Sequence, residues 1–358
     1  MTDAPRRPRV ILDPHFRRLK EIFSPEDLAR LHSLAEVVWG RDTPMPDAEI
    51  EAARAEAVAV VAADWRYGAI ERFPNLCAFL EVSGRFPDPA TFDYAACFAR
   101  GIRVLSCAPA FGPSVAEMAL GLALAVARDI PAGDAAVRAG AEKYGLAGNA
   151  RTFHLFDQPV GFIGFGGIAR ALKPLLAPFR CPIRVYDPWL TDGFLRTQGV
   201  TPADLQTLLQ TSRVIFVLAV PSAENRALLS RERLETIAPG AALILVSRAH
   251  LVDFDALTEL LLAGRFRAGI DVYPTEPLPA DHPIRTAPGA VLSAHRAGGD
   301  AHGYHNIGRM VVNDLEAVLA GRAPQEMQTA QPEFIRGLGT RAQNTTETYR
   351  FAKGTTRK

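Results

Sequence analysis

Residues 160–170 read Val-Gly-Phe-Ile-Gly-Phe-Gly-Gly-Ile-Ala-Arg. The glycines at 164 and 166 and Ala169 have the spacing of the turn between the first strand and helix of a dinucleotide-binding domain. In that pattern Gly164 permits a tight turn, Gly166 lets the backbone approach a pyrophosphate, and Ala169 lets the helix lie close to the strand. A diphosphate would then meet the free amides at the helix N-terminus.

The surroundings of this turn strengthen that interpretation. An apolar strand precedes the turn, a helix follows it, and the next strand ends at Asp187, about twenty residues further on. An acid at this place accepts hydrogen bonds from the adenosine ribose hydroxyls. The alternative is an ordinary turn residue before Pro188. Because residues 188–190 offer no cation for a 2′-phosphate, Asp187 predicts NAD rather than NADP as the cofactor.

Short apolar runs alternate with amphipathic segments on both sides of the turn. Before it, strands are predicted at 9–12, 37–39, 57–62, 76–82 and 102–105, followed by an apolar helix at about 114–128 and a loop-containing connection over 131–157. From the turn onward, six strands are predicted at 160–163, 183–186, 214–218, 242–246, 268–272 and 291–293. This order predicts an α/β protein with two doubly wound parallel-sheet domains, one flavodoxin-like and one a Rossmann domain.

The predicted domains divide the chain unevenly. Residues 1–112 together with 300–323 form the substrate domain, because a helix near the end, at about 301–320, is expected to return to the first domain. Residues 113–299 form the Rossmann domain. The polar residues 324–358 are expected to be a loosely ordered tail.

Composition excludes several classes of function. The 358 residues carry a net charge of +1 without a basic cluster, so no nucleic-acid partner is expected. The four cysteines form no C-x-x-C pair, and no metal site is predicted. The first residues lack the apolar stretch of a signal peptide, and the apolar helix pattern at 115–127 is too short to span a bilayer and contains Glu117. We therefore expect a cytoplasmic protein without a membrane partner.

Three residue types suited to hydride-transfer chemistry follow the later predicted strands: Arg248, Glu276 and His295. In doubly wound sheets, ligands bind in the crevice outside the carboxyl ends of the strands. A cation, an acid and a histidine gathered there form a plausible site. Each residue alone has an ordinary alternative: a surface arginine, a loop glutamate before Pro277, or a solvated histidine.

Four motifs occurring in order resemble the D-isomer-specific 2-hydroxyacid dehydrogenase family across roughly residues 8–322. They are the stretches at 101–117, 164–169, 247–253 and 269–295. The resemblance implies an NAD-dependent enzyme that moves a hydride between NAD(H) and a small 2-hydroxy or 2-keto acid, of the glyoxylate, hydroxypyruvate or phosphoglycerate kind. It implies that Arg248 holds the substrate carboxylate and carbonyl, that His295 gives or takes the proton, and that Glu276 orients His295.

The motifs, the positions of residues after strands and the resemblance together indicate two sets of binding residues. The expected cofactor-binding residues are Gly164, Gly166, Gly167, Ile168, Asp187, Val220, Pro221, Val246, Ser247, Arg248, Asp271, His295 and Gly298, with Asp271 facing the nicotinamide. The expected substrate-binding residues are Arg66, Ser83, Gly84, Arg85, Arg248 and His295. Arg66 and Arg85 follow strands of the first domain, where they could bind a phosphate or second carboxylate; solvated surface arginines are the alternative.

The sequence departs from the family pattern in places that bear on the substrate. Gly167 stands where a larger residue is frequent, Val246 and Ala249 flank Arg248, and Ser106 and Ala108 replace an Asn and a Pro in the connection between the domains. The substrate loop at 81–86 lacks the common glycine-rich form. These departures leave the particular 2-hydroxy acid open.

Two other classes share this fold. One contains corepressor-type proteins in which nicotinamide binding tunes protein association, and the other contains inactive relatives. Turnover of a 2-keto acid would separate an enzyme from both. The apolar helix at 114–128 predicts a homodimer, because its counterpart in the resembling family lies in a dimer interface; the alternative is that its own chain covers it.

Overall fold

The computed structural model describes residues 7–339, which form two mostly parallel sheets flanked by helices. The strands are β1 (Arg9–Asp13), β2 (Glu36–Trp39), β3 (Ala57–Ala62), β4 (Ala78–Glu81), β5 (Arg103–Ser106), β6 (Val160–Ile163), β7 (Ile183–Tyr186), β8 (Thr201–Pro202), β9 (Val214–Val217), β10 (Ala242–Leu245), β11 (Arg267–Ile270), β12 (Ala290–Leu292) and β13 (Gln328–Thr329). The helices are α1 (Leu19–Ile22), α2 (Pro25–Leu34), α3 (Asp47–Ala53), α4 (Tyr94–Ala99), α5 (Gly112–Ala127), α6 (Ile130–Ala139), α7 (Gly145–Gly148), α8 (Gly167–Leu176), α9 (Asp192–Thr197), α10 (Leu205–Thr211), α11 (Arg231–Glu235), α12 (Phe254–Leu262), α13 (Ala301–Leu319) and α14 (Pro332–Gly339).

The strand orders confirm the predicted fold class. The first sheet runs β13-β5-β4-β3-β1-β2, in which β1 to β5 have the flavodoxin-like order 2-1-3-4-5. The second sheet runs β12-β11-β10-β9-β6-β7-β8, which is the Rossmann order 3-2-1-4-5-6 extended by a seventh strand. Every residue of β9 and β10 is buried, as expected for strands covered by helices on both faces. The order reverses between β6 and β9, where such folds bind ligands.

The helix α13 packs on the first sheet's domain, although it follows the second sheet in the chain. Its buried side chains Ile307, Val311 and Leu315 share a hydrophobic core with Val10 and Leu80 of the first sheet. The helix therefore returns to the first domain as predicted. The exact boundaries of the two domains stay a prediction.

The end of the described chain differs from the sequence prediction. Residues 324–339 were expected to belong to a loosely ordered tail, and for this part the expectation is wrong. The carboxylate of the fully buried Asp314 accepts hydrogen bonds from the amides of residues 325–327. This anchor lets β13 pair antiparallel with β5, and the ring of Phe334 packs on Phe86 at 5.6 Å between centroids. The rest of the predicted tail, 340–358, lies outside the described residues.

Two further elements were missed. The Rossmann sheet has seven strands rather than the predicted six, because the two-residue β8 pairs with β7 at the edge of the sheet. The helix α10 begins at Leu205, where the Asp204 carboxylate caps it by accepting the Thr207 amide at 2.8 Å. The predicted connection at 131–157 contains α6 and α7, neither of which has a buried residue.

The segment Ala108–Ala127, which ends in α5, is long and apolar enough to cross a membrane by length and composition alone. It is longer than the sequence pattern indicated, so length does not exclude a span. Half of the segment is buried inside the protein, where α5 packs on α8, β10 and β11. This burial is what the core helix of a globular domain shows.

Candidate active site

The glycine-rich turn lies between β6 and α8. Gly164 has a φ of +94°, and a Cβ there would come within 2.7 Å of the Ala219 backbone, so the turn requires glycine. Gly166 precedes α8 without a side-chain cap, and no other part of the described chain lies within 4 Å of where a Cβ on Gly166 or Gly167 would stand. The first amides of α8 therefore lack a side-chain acceptor, and the space beside them admits a phosphate group.

Asp187 follows β7 and reaches the glycine-rich turn. One carboxylate oxygen accepts the Phe165 amide at 2.8 Å, and the other accepts the Trp189 amide at 2.9 Å. Each oxygen retains a second lone pair for a hydroxyl donor, which suits the predicted bond to a ribose. Asp187 also lines a cavity of about 550 Å³ together with Arg184. Arg184 belongs to β7 and is a cation of this cavity that lies outside residues 188–190.

The loops that follow β9 and β10 are tied together beside the turn. His250 Nε2 lies 2.8 Å from the Ser222 carbonyl oxygen, and Asn225 donates to the Val220 carbonyl at 2.9 Å. These bonds hold Val220 and Pro221, both predicted to contact the cofactor. The two residues directly follow Ala219, whose backbone adjoins Gly164 of the glycine-rich turn. Val220 is 56% exposed, so its side chain is open to a ligand. That His250 holds this loop could not be predicted from the sequence, because its partner Ser222 lies in a different loop.

The other predicted cofactor residues lie around the same edge of the second sheet. Val246 and Ser247 directly follow β10 and are buried, and the Ser247 hydroxyl has no hydrogen-bond partner among the described residues. Ile168 belongs to the first turn of α8. A Cβ on Gly298 would stand 3.1 Å from the Phe111 ring, which places Gly298 against the connection between the domains.

His295 and Glu276 come together from the loops after β12 and β11. His295 Nδ1 lies 2.7 Å from Glu276 Oε2, and the two side chains are 25% and 22% exposed. The other Glu276 oxygen accepts the Tyr273 amide at 3.0 Å, which fixes the carboxylate. The Nδ1 bond orients the imidazole, with Nε2 on the opposite side of the ring. This is the arrangement that a general acid and its orienting carboxylate require.

Electrostatics keep the Glu276 carboxylate charged. Burial alone would raise the pKa of Glu276, but the hydrogen bonds from His295 and from the Tyr273 amide hold it below its usual range. The positive charges of His295 and Arg248 lower the pKa of Glu276 further. Arg248 is therefore close enough to this pair to act on it. Its side chain is exposed and one Nη donates to the Ser247 carbonyl at 2.7 Å.

Asp271 fixes the loop that carries His295. It is fully buried, its carbonyl accepts the His295 amide at 2.7 Å, and its carboxylate accepts the Arg296 and Ala297 amides, both at 2.9 Å. His295 has a φ of +51°, a left-handed conformation that these bonds maintain. Asp271 thus positions the loop that carries His295. That it faces the nicotinamide stays a prediction.

Arg66, a predicted substrate residue of the first domain, is held by other residues of that domain. Arg66 donates to the buried Asp13 carboxylate at 2.5 Å and to the Met45 carbonyl at 2.6 Å. It lines a groove with Trp65, and among the described residues it shares no hydrogen bond or ion pair with the loop at 83–85. Its role in substrate binding stays a prediction, but its charge already has a partner.

The substrate loop is organised by Glu81, which sequence reasoning missed. Glu81 ends β4, is 1% exposed, and accepts hydrogen bonds from the amides of Ser83, Gly84 (3.1 Å) and Arg85 (2.9 Å) and from the Ser106 hydroxyl (3.0 Å). The loop amides therefore point toward Glu81 rather than toward a ligand. Ser106, one of the departures from the family pattern, is the hydroxyl partner of Glu81.

The buried Glu81 predicts a stability that falls as the pH rises. Burial raises the pKa of Glu81 to about 7, and the bonds to the loop only partly offset it. The folded state then binds more protons than the unfolded state between the two pKa values, so this group favours folding at low pH and loses that contribution as the pH rises through about 7. Relative to Glu81→Gln, the wild type is expected to lose about 2 kcal/mol of unfolding free energy between about pH 5 and pH 8.

Urea unfolding at the two pH values measures this difference. The exposed Glu224→Gln serves as a control that removes a carboxylate without burial, and its difference from the wild type is expected to be nearly independent of pH. A pH-independent difference for Glu81→Gln would show that the carboxylate is not the titrating group.

Comparisons with known proteins agree with this geometry. Residues 120–297 match the sequence model of the D-isomer specific 2-hydroxyacid dehydrogenase, NAD binding domain. A glyoxylate reductase of Thermofilum pendens is 30% identical over 248 residues, which are 67% of this chain and 71% of that protein. A phosphoglycerate oxidoreductase from Rhizobium etli has a solved structure that matches with a TM-score of 0.81 and 36% identity, over 91% of this chain and 99% of that one.

A third relative is longer than this chain. The D-3-phosphoglycerate dehydrogenase of Mycobacterium bovis is 30% identical over 230 residues, which cover 64% of this chain but only 43% of that protein. The fold and the site define an NAD-binding protein of the doubly wound α/β class. The chain belongs to the D-isomer-specific 2-hydroxyacid dehydrogenase family.

Proposed function

We propose that this protein is an NAD-dependent dehydrogenase that interconverts a small 2-keto acid and its 2-hydroxy acid. The observation that carries the proposal is the 2.7 Å pairing of His295 with Glu276. Arg248 follows β10 at the same edge of the sheet, and its positive charge contributes to the lowered pKa of Glu276. These are the proton donor, its orienting acid and a cation for the substrate. They lie beyond the strands that follow the glycine-rich turn, where a bound nicotinamide is expected.

In the reducing direction NADH, when bound, supplies a hydride to the carbonyl carbon of the keto acid. The Arg248 guanidinium grips the substrate carboxylate and polarises the carbonyl, where negative charge develops. His295 donates a proton from Nε2 to that carbonyl oxygen. Glu276 holds the imidazole through Nδ1, which orients the ring, and its negative charge favours the protonated form that gives up the proton.

The substrates named for the relatives, glyoxylate and phosphoglycerate, support a substrate of this size for the chain. Asp187 supports NAD as the preferred cofactor, because a 2′-phosphate would meet its carboxylate. A panel of 2-keto acids, screened with NADH and with NADPH by nicotinamide absorbance, tests both parts. We expect turnover of at least one acid, with higher kcat/KM for NADH. Cofactor binding without any turnover would instead favour a nicotinamide-sensing or inactive relative.

Glu276→Gln tests the role of the carboxylate. Reduction requires protonated His295, so its rate is high at low pH and is lost as the pH rises. Without the negative charge the protonated form is less stable, and the limb of the reductive pH profile moves to lower pH. The limb for oxidation, which requires the neutral form, moves in the same direction.

The measurement for this variant is kcat against pH in both directions, with cofactor affinity determined separately. The exposed Glu259→Gln is the matched control and should leave both limbs in place. An unshifted profile with normal cofactor binding would mean that Glu276 is only a loop residue before Pro277.

We also propose that the protein is a homodimer, with an interface formed by the outer side of α5 and by the neighbouring segment that contains α6 and α7. This segment carries large exposed apolar side chains, including Val137 (62%), Tyr144 (82%) and Leu146 (89%). Such a surface is typical of an interface, and closed twofold pairing of identical chains is the commonest solution. The outer side of α5, with Leu120 and other partly exposed residues, adds apolar area beside it.

Light scattering at micromolar concentration tests the assembly. We expect a dimer for the wild type and a monomer for Leu146→Asp combined with Val137→Asp. The control is Leu262→Asp, an exposed leucine at the end of α12, which should remain dimeric. A monomeric wild type would show that the chain covers α5 sufficiently by itself.

All four cysteines of the chain are unpaired thiols. Unpaired thiols are usual in a reducing compartment. This supports the cytoplasm as the proposed location.

A further inference from the structure

We propose that Arg17 selects substrates carrying a second anionic group at the end opposite the carboxylate held by Arg248. The inference rests on the proposed function and extends it to the class of substrate. Arg17 belongs to the loop after β1 and is half-buried. One Nη lies 3.4 Å from the Ser83 carbonyl oxygen, so the guanidinium adjoins the substrate loop.

Aromatic rings hold the Arg17 guanidinium at the place where the two domains meet. Its central carbon lies 4.6 Å from the centroid of the Tyr304 ring and 5.8 Å from that of Phe111. A Cβ on Gly84 would stand 2.5 Å from the Phe111 ring, and a Cβ on Gly298 would stand 3.1 Å from it. Phe111 therefore adjoins both the substrate loop and the loop that follows His295, and Arg17 lies at the same junction.

The charge of Arg17 has no acidic partner among residues 7–339. Arg66, in contrast, is paired with the buried Asp13. A guanidinium offers five N–H donors, and the described structure provides an acceptor for only one of those of Arg17. Its Nε is buried without a partner. A half-buried cation with so few acceptors is suited to receive an anion, because an incoming oxyanion supplies both charge and hydrogen bonds.

The loop backbone cannot take over this role. The amides of Ser83, Gly84 and Arg85 already donate to Glu81, whose carboxylate is buried beneath them. An anionic group that reaches this side of the cleft therefore meets the loop's carbonyl side and the Arg17 side chain rather than a nest of free amides. Arg17 is the half-buried cation placed there by aromatic packing, while Arg85 is exposed.

The test compares three 2-keto acids: hydroxypyruvate, its phosphate ester, and the dicarboxylate 2-oxoglutarate. The variant Arg17→Met keeps the length and the apolar packing of the side chain but removes the charge. We expect the wild type to prefer one of the two doubly anionic acids, which identifies the group as phosphate or carboxylate. In Arg17→Met, the kcat/KM for that doubly anionic acid relative to the kcat/KM for hydroxypyruvate is expected to fall about 10- to 100-fold, mostly through a higher KM.

Two further variants complete the experiment. Arg17→Lys keeps a charge without the planar fork and should retain part of the preference. Arg18→Met, at the exposed neighbouring position, should leave the ratio unchanged. An equal loss for all three acids, an unchanged ratio, or a wild-type preference for hydroxypyruvate would overturn the role of Arg17. Absence of turnover with every acid would instead overturn the proposed function and the inference with it.

Discussion

Replacing His295 with alanine is expected to lower kcat for reduction by about a hundred- to ten-thousand-fold, the usual range for loss of a general acid. The expectation follows from the 2.7 Å bond that fixes the imidazole through Nδ1 and leaves proton transfer to its other nitrogen. Steady-state kinetics with a saturating keto acid measure the effect. NADH should still bind, because the glycine-rich turn and Asp187 are untouched.

A second variant separates proton transfer from backbone effects at this position. The φ of His295 is +51°, a conformation that asparagine tolerates better than alanine does. His295→Asn should therefore preserve the loop and still lose most of the activity. The control is His32→Ala, since His32 is exposed and distant in the fold. If His295→Asn retained wild-type kcat, His295 would not be the proton donor.

Arg248→Ala is expected to raise KM and to lower kcat by about a hundred- to a thousand-fold. The same side chain holds the substrate carboxylate and faces the developing negative charge, so both binding and the transition state lose an interaction. Arg248→Lys keeps the charge but not the bidentate geometry, and it should recover only part of the loss. Initial rates over a range of substrate concentrations separate the two parameters.

The matched control for Arg248 is Arg196→Ala, which removes an exposed arginine from α9 and should change neither parameter. A rise in KM with unchanged kcat in Arg248→Ala would mean that Arg248 only binds the ground state. The carbonyl oxygen would then need another stabilising group.

Features with strong local patterns could be predicted from the sequence. The apolar strand, the turn at Gly164 and the acid at 187 form one continuous motif, and the structure has β6 and β7 at the predicted residues. Arg248, Glu276 and His295 were expected near one another because each follows a parallel strand of one sheet. The alternation of strands and helices predicted two doubly wound sheets, and the strand orders of both sheets agree with it.

What the sequence could not predict depends on contacts between distant residues. The strand β13 has two residues in a polar segment, and it forms because Asp314 captures the amides before it. Glu81 is the last residue of an apolar strand, a position at which the sequence pattern indicates a solvent-exposed acid. Only the return of the loop over its carboxylate and the approach of Ser106 show that it is buried.

Arg17 illustrates the same difficulty. Its position in a polar loop indicates a surface residue, and its aromatic neighbours Phe111 and Tyr304 come from distant parts of the chain. Arg66 shows the opposite case. Its position after a strand predicted that it binds the substrate, but the structure pairs it with Asp13. Its pairing with Asp13 across two strands could not be inferred from spacing.

Transfer of an isotope from the cofactor to the substrate tests the central claim most directly. NADH deuterated at the transferable position of its nicotinamide ring is incubated with the enzyme and the best 2-keto acid, and the product is analysed by mass spectrometry and NMR. We predict a 2-hydroxy acid with deuterium on the α carbon, and no deuterium there when unlabelled NADH is used in heavy water. A product without deuterium on that carbon, or no product from any keto acid although NADH binds, would contradict the assignment of hydride transfer to this site.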